Sequence, residues 1–306
     1  LEYYDFLQIK YKYQTFSKIE ERVKNHILPF FKDYFVINIK HYDVINWMKY
    51  IDSNNYSYNY CSSLFSALSD ILGYAVSFYG LNENIAKKVG NFPKKKPKKE
   101  ISFWTFEEYN KFISCIPDRL YKTFFETLYS TGMRQGECIA LKWSDFKEDF
   151  IEVNKTISKT KYNGEYVINS PKTASSCRII YIDEKLKKSL NDLLEQEKNK
   201  ENFNSNWFIF GGNKPLSATT ILRKKNYYCE ISNVKKIRIH EFRHSHATLL
   251  LSKGIPITVI SQRLGHSNIE MTLNTYSHLI KEDEKKATML LNELKTSLNF
   301  FLVLIN

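Results

Sequence analysis

The pattern of apolar and polar positions over residues 1–91 is helical. In three segments, apolar side chains return every three or four residues, which places them on one buried face of a helix. They are Ile19, Val23 and Ile27, then Val44, Trp47, Met48 and Ile51, then Leu64, Leu68 and Leu72. Ser17 and Glu20 have the spacing of a capping box, so we expect the first helix to begin there. The third helix is expected from about Asn59 to Phe78, and the whole segment is predicted to form a small helical domain.

A basic segment interrupts this pattern at residues 92–101. Its two prolines and five lysines cannot pack into a core, which predicts an exposed and extended linker. The lysines are Lys94, Lys95, Lys96, Lys98 and Lys99. They would serve equally well as a solvated tether or as a DNA-binding segment that displaces counterions from a phosphate backbone.

The pattern changes again over residues 102–306. Thr105 and Glu108 form a second capping box, and a strongly apolar helix at 119–130 stops at Gly132. Runs rich in Ile, Val and Tyr predict β-strands. These strands cover residues 150–158, 165–169 and 178–182. The predicted fold class is therefore mainly α with a small antiparallel β-sheet, as a helical domain followed by an α+β domain.

The chain carries a net charge of +12 and has a pI near 9.2. Such an excess of cations favours a polyanionic partner, and nucleic acid is the commonest one. An AT-rich genome, whose codons favour lysine, would also produce a basic protein, so charge alone does not decide the partner. With 306 residues the chain is long enough for two domains.

The cysteines and the hydropathy of the chain limit the cellular compartment in which we expect it. Its 5 cysteines are scattered, with no CxxC pair, which argues against a disulfide framework or a thiolate zinc site and fits a reducing cytoplasm. No stretch is expected to span a bilayer, because the apolar run at 300–305 is far shorter than the roughly 20 residues required. A signal-peptide pattern is not found. The first residue is Leu1 rather than Met, which is compatible with a missing N-terminal piece.

Six residues of the second domain could take part in chemistry, although each is a weak candidate alone. Arg134 follows Gly132 at a helix start, a poor place for a cation unless it binds an anion there, and Glu137 can brace it. Lys172 lies at the tip of a predicted hairpin, where most lysines are simply solvated. The others are His240 and Arg243 on one helix face, His266 after a short helix, and Tyr276, one of 21 tyrosines.

As a group and in this order, these residues resemble the catalytic set of the tyrosine recombinases, the phage and transposon integrase family. The matching segments are 131–137, 170–173, 240–248, 264–267 and 275–278. The similarity covers nearly the whole chain, and residues 1–91 resemble the core-binding domain of the family. The resemblance implies an enzyme that cuts and rejoins DNA through a 3′-phosphotyrosyl bond, with no metal or other cofactor.

The resemblance also implies a role for each candidate. Arg134 and Arg243 would clamp the scissile phosphate, where fixed cations stabilise the negative charge that builds up during attack. His240 and His266 would be hydrogen-bond or proton-transfer partners. Lys172 would protonate the leaving 5′ oxygen, and Tyr276 would be the nucleophile.

Three alternatives remain open at this point. His240, Glu241 and His244 satisfy the HExxH pattern of zinc proteases, with Glu270 as a conceivable third ligand. That interpretation would place the Arg243 cation beside the metal and leaves the other candidates unexplained. The second alternative is an inactive DNA-binding module. The third is a Xer-like chromosome resolvase rather than an integrase that integrates and excises a mobile element.

The expected partner is double-stranded DNA, gripped by the two domains as a C-shaped clamp. Residues 281–306 carry an apolar stripe that would pack on its own domain or dock on a neighbouring protomer of a homo-tetramer. The stripe consists of Leu290, Leu291, Leu294 and Leu298. An accessory DNA-bending or directionality factor is a further expected partner, and the expected location is the nucleoid in the cytoplasm, in a bacterial or phage context.

Overall fold

The computed structural model describes residues 2–93, 102–162, 165–169, 176–276, 288 and 291–292. It divides into two compact units, Leu1–Lys99 and Glu100–Asn306. Several of the predicted functional residues lie outside the described residues. They are Lys94, Lys95, Lys96, Lys98, Lys99, Lys172 and nearly all of the apolar segment 281–306.

The first unit is helical throughout its described part. Its helices are α1 (Glu2–Lys10), α2 (Tyr13–Arg22), α3 (Leu28–Phe31), α4 (His41–Ser53), α5 (Tyr58–Phe78) and α6 (Ile85–Val89). A π-helical turn, Val23–Ile27, joins α2 to α3 without a break. The predicted start at Ser17 is therefore wrong: α2 begins at Tyr13, because Phe16 is buried and extends the apolar face toward the N-terminus.

The core of this unit lies between α4 and α5. The predicted face of α4 is confirmed, since Val44, Trp47 and Ile51 are all buried. The indole Nε1 of Trp47 donates to the carbonyl of His26 at 2.8 Å, so the polar atom of this large side chain is satisfied inside the core. Helix α5 begins at the N-cap Ser57, whose side chain accepts from the Tyr60 amide.

Helix α5 is 21 residues long and is apolar enough, by length and composition, to cross a membrane. The expectation that no stretch reaches that length is thus wrong. Its leucines Leu64, Leu68 and Leu72 are nevertheless buried in the helical core of the unit. Packing against the other helices accounts for the apolar character of α5.

The second unit combines helices with four short strands. Its elements are α7 (Phe106–Ser114), α8 (Arg119–Thr131), α9 (Gln135–Ala140), β1 (Phe150–Val153), β2 (Thr156–Tyr162), β3 (Glu165–Asn169), β4 (Arg178–Tyr181), α10 (Glu184–Lys198), α11 (Ala218–Ile231), α12 (Glu241–Ser252) and α13 (Ile257–Leu264). Residues 269–276 are also helical. The capping box at Thr105 and Glu108 is confirmed at the start of α7. The predicted fold class, mainly helical with antiparallel strands, is confirmed.

The strands form two separate antiparallel pairs, β1 with β4 and β2 with β3. The continuous strand predicted at 150–158 is broken, because Asn154 and Lys155 turn aside to bind the buried carboxylate of Asp145. The predicted hairpin between β3 and β4 is also wrong, since each pairs with a different strand. The segment that contains Lys172 therefore connects the two sheets.

Helix α8 lies at the centre of the second core and ends beside the candidate site. Its Phe124 and Phe125 are fully buried, and Phe125 stacks on Phe242 of α12 at 5.6 Å between ring centroids. The helix ends at Gly132, which has a left-handed φ of 66°. A Cβ at Gly132 would lie 2.7 Å from the His246 ring, so the absence of a side chain permits α8 to end directly against α12.

We expect the Leu68→Ala substitution to lower the free energy of opening of the first unit by about 2 to 5 kcal/mol, because it leaves a cavity between packed helices. Leu68 is 1% exposed. Hydrogen exchange of the α4 and α5 amides in the intact chain measures this quantity. Ile9→Ala is the control, since Ile9 is 90% exposed. Equal exchange in the two variants would contradict the assignment of Leu68 to the core.

Candidate active site

A buried ion-pair network supports Arg134. The Arg134 Nη1 atom donates to Glu137 at 2.8 Å, and the backbone amide of Arg134 donates to the same carboxylate at 2.9 Å. From the other side, Nη2 of Arg178 on β4 donates to Glu137 at 2.9 Å. The side chains of Glu137 and Arg178 are each 6% exposed, whereas that of Arg134 is 37% exposed. The network thus fixes Arg134 while leaving its guanidinium open to a ligand.

Electrostatics keep Glu137 ionised inside this network. Burial acts to raise the pKa of its carboxyl, but the hydrogen bond and charge of Arg178, together with Arg134, outweigh burial and lower the pKa. Arg178 also donates from Nε to the carbonyl of Arg263 at 2.8 Å, which ties β4 to the end of α13. Arg178 was not among the residues predicted from the sequence. The sequence indicated it only as a single arginine at the start of an apolar strand.

Arg243 lies in the first turn of α12 and is 2% exposed. Its Nη1 donates to the carbonyl of Gly132 at 3.0 Å. Its Nη2 is buried and has no hydrogen-bond partner among the residues that the structure describes. Burial, and then the charge of Arg134, lower the pKa of Arg243 to about 9. A buried cation with a spare donor next to a second cation is an arrangement that an anion would stabilise.

The two predicted histidines lie in the field of these arginines. His240 occupies the N-cap position of α12, and His266 follows α13 with its Nδ1 2.7 Å from the hydroxyl of Thr272. Burial and neighbouring groups, chiefly His244 and Arg243 for His240, and Arg243 for His266, lower the pKa of each imidazole to about 4. Both histidines are therefore neutral at pH 7. Each can donate or accept a hydrogen bond without adding positive charge to the site.

Tyr276 ends the described part of helix 269–276 and is 2% exposed. Its hydroxyl lies 2.8 Å from Nδ1 of His244 on α12. Burial raises the pKa of the phenol, and Arg243 opposes that rise. Tyr276 thus lies close enough to Arg243 of its own chain to be influenced by its charge. His244, which the sequence offered only as a possible zinc ligand, contacts the phenolic oxygen instead.

Five of the six predicted catalytic residues share this region, and Lys172 lies outside the described residues. The structure gives no support to the zinc-protease alternative. His244 is engaged with Tyr276, and the Glu241 carboxylate accepts from Nε of Arg238 at 2.9 Å. Within the described ranges, no group of three or more His, Cys, Asp and Glu residues is placed to hold a metal ion.

Two arginines, two histidines and a buried tyrosine lie together here, as the resemblance to the tyrosine recombinases led us to expect. The sequence model described as the phage integrase family matches residues 103–283. The chain belongs to the phage integrase family, and it is a tyrosine recombinase of the integrase type.

Comparison with individual proteins agrees with this assignment. The ICEBs1 integrase of Bacillus subtilis (strain 168) is 33% identical over 89% of this chain and 76% of its own length. A XerC-like tyrosine recombinase of Caldanaerobacter subterraneus is 27% identical over 95% of this chain and 81% of its own length. The combination of 33% identity and coverage of 89% of this chain for ICEBs1 integrase favours an integrase over a Xer-like resolvase.

A solved structure shares the fold. The transposon Tn1549 integrase, in a complex with circular intermediate DNA, superposes with a TM-score of 0.72 and 20% identity. The similarity covers 92% of this chain and 97% of that one.

We expect Glu137→Gln to destabilise the second unit by about 3 to 5 kcal/mol, because it leaves two guanidinium groups without their buried counter-ion. Urea unfolding followed by circular dichroism would measure the loss. Glu195→Gln is the matched control, since Glu195 pairs with Lys198 at the surface and its side chain is 70% exposed. If both variants unfold at the same urea concentration as the parent, the network does not hold the site together.

Proposed function

We propose that this integrase binds double-stranded DNA and joins the 3′ phosphate of a cut strand to Tyr276, thereby integrating and excising a mobile element. The observation that carries the proposal is the buried Arg243, whose Nη2 has no hydrogen-bond partner among the described residues and whose pKa is lowered by the charge of Arg134, in a site that also contains the tyrosine. A phosphodiester supplies the acceptor and the negative charge that this arrangement lacks. The similar Tn1549 integrase has been solved bound to DNA.

Each residue of the site has a role in one transesterification. The Tyr276 oxygen attacks the phosphorus, a P–O bond to tyrosine forms, and the bond to the 5′ oxygen breaks. Arg134 and Arg243 stabilise the charge on the non-bridging oxygens, more strongly because the site is poor in water. Neutral His240 and His266 hydrogen bond to the same oxygens or take part in proton transfer.

Lys172 protonates the 5′ oxygen as it leaves. The phosphotyrosyl bond conserves the energy of the cut bond, so reversal of the same step rejoins DNA without a metal or another cofactor.

DNA contacts extend beyond this site. Residues 1–91 act as a core-binding domain, residues 92–101 as a basic linker along the DNA backbone, and residues 102–306 as the catalytic domain. The net charge of +12 supports such a surface. The linker contacts are made by Lys94, Lys95, Lys96, Lys98 and Lys99.

The active assembly is a homo-tetramer on DNA, with an accessory DNA-bending or directionality factor, in the cytoplasm at the nucleoid. The apolar segment 281–306 docks on a neighbouring protomer. Its run of six apolar residues, 300–305, supports docking between copies, because an exposed apolar surface is stabilised when a partner covers it.

We expect Tyr276→Phe to bind DNA with unchanged affinity and to form no covalent adduct, because phenylalanine has no nucleophilic oxygen. The substrate is a duplex of the element's end junction, nicked next to the cleavage position so that religation fails, incubated with EDTA. A denaturing gel detects the adduct as a shifted band. A shifted band in the variant would contradict the assignment of the nucleophile, and its absence from the parent protein would contradict the proposed function.

We expect deletion of residues 285–306 to abolish tetramers on DNA while monomers still bind a half-site, because the docking segment is gone. Light scattering of protein–DNA complexes measures the assembly state, and a gel shift on the half-site tests binding. Tetramers that persist without the segment would show that it packs on its own domain.

A further inference from the structure

His244 is the residue in contact with the oxygen that reacts. It lies on α12 one turn after His240, and the two rings are 5.2 Å apart at 89°. Its Nδ1 is 2.8 Å from the Tyr276 hydroxyl. In the part of the chain that the structure describes, no other group hydrogen bonds to this hydroxyl. His244 thus stands between the nucleophile and the histidine at the start of α12.

We propose that His244 is a catalytic residue that accepts the proton of the Tyr276 hydroxyl as its oxygen attacks the phosphorus. The inference rests on the proposed function. In the forward step the phenolic oxygen bonds to phosphorus, its proton moves to His244 Nδ1, and the P–O5′ bond breaks. The 5′ oxygen takes its own proton from a separate donor, Lys172 in the proposed scheme. Religation returns both protons by the reverse route.

The surroundings of the pair explain why an acceptor is needed and why His244 fits. Burial raises the pKa of Tyr276 despite the opposing effect of Arg243, so the phenol stays protonated until attack. Burial also lowers the pKa of His244, which leaves the imidazole neutral with a lone pair to offer. Among the charged groups facing His244, Glu241 raises its pKa, whereas Arg243 and Arg238 lower it.

The first test is His244→Asn, whose amide can still hydrogen bond near the position of Nδ1 but takes up no proton. We expect adduct formation on the nicked duplex to slow by about 10²- to 10⁴-fold. DNA affinity and the melting temperature should match the parent. A parental rate would overturn the proposal, and a faster rate would show that His244 only restrains Tyr276.

A 5′-bridging phosphorothiolate at the scissile position separates the two proton transfers, because a sulfur leaving group departs without protonation. We expect this substrate to restore adduct formation in Lys172→Ala and not in His244→Asn. Restoration in His244→Asn would place the histidine at the leaving group and overturn the proposal. Failure of the parent protein to form any adduct would count instead against the proposed function.

The pH dependence of the parent protein gives a test that requires no variant to fold. Protonated His244 accepts no proton, and burial lowers its pKa, so the rate should fall at a pH below the ordinary histidine value of 6.5. His244→Asn should lose this fall. His240→Asn is the matched variant, since it removes the adjacent imidazole and should keep the fall. A parental rate that stays level through this range would overturn the proposal.

Discussion

The buried carboxylate of Glu137 accepts hydrogen bonds from two guanidinium groups, and the geometry of the site depends on it. Arg134 reaches it from the start of α9 and Arg178 from β4. Because Arg178 also holds the end of α13, one anion links a helix start, a strand and the loop that carries His266. Arg134 could not be fixed so firmly at a half-exposed position without this support. The Glu137 carboxylate also neutralises part of the positive charge of the arginines in the site.

That positive charge is only partly neutralised by the protein. Arg243 is buried, and one of its donors has no partner among the described residues. Burial lowers the pKa of His240 and of His266, and the neighbouring arginines lower it further. Where water is excluded, the attraction between these cations and a bound phosphate is stronger. The arrangement therefore favours a ligand that is already an anion. Neutral histidines add hydrogen-bonding capacity there without further repulsion. Glu137 pairs with Arg134 and Arg178, whereas Nη2 of Arg243 has no partner among the described residues and can still donate to an anion.

Much of this architecture could be predicted because its signals are local. The faces of α4 and α5 follow from apolar spacing, and Arg134 with Glu137 lie within one helical turn. The start at Ser17 was misplaced because a capping sequence also occurs inside α2, where the buried Phe16 continues the helix. Arg178 was missed, and His244 was considered only as a possible zinc ligand, because their partners Glu137 and Tyr276 lie 41 and 32 residues away along the chain. Such pairs come together only in the folded chain, and the spacing of apolar residues along the sequence does not indicate them.

Gly132 contributes no side chain to the site, yet its position accepts no side chain unless the helices around it shift. Its carbonyl receives the Arg243 guanidinium, its φ is left-handed, and a Cβ would lie within 2.8 Å of both His246 and Leu264. Even alanine would have to push α12 and α13 away from the end of α8. In a library of all single substitutions selected for recombination, variants at this position should therefore be strongly depleted.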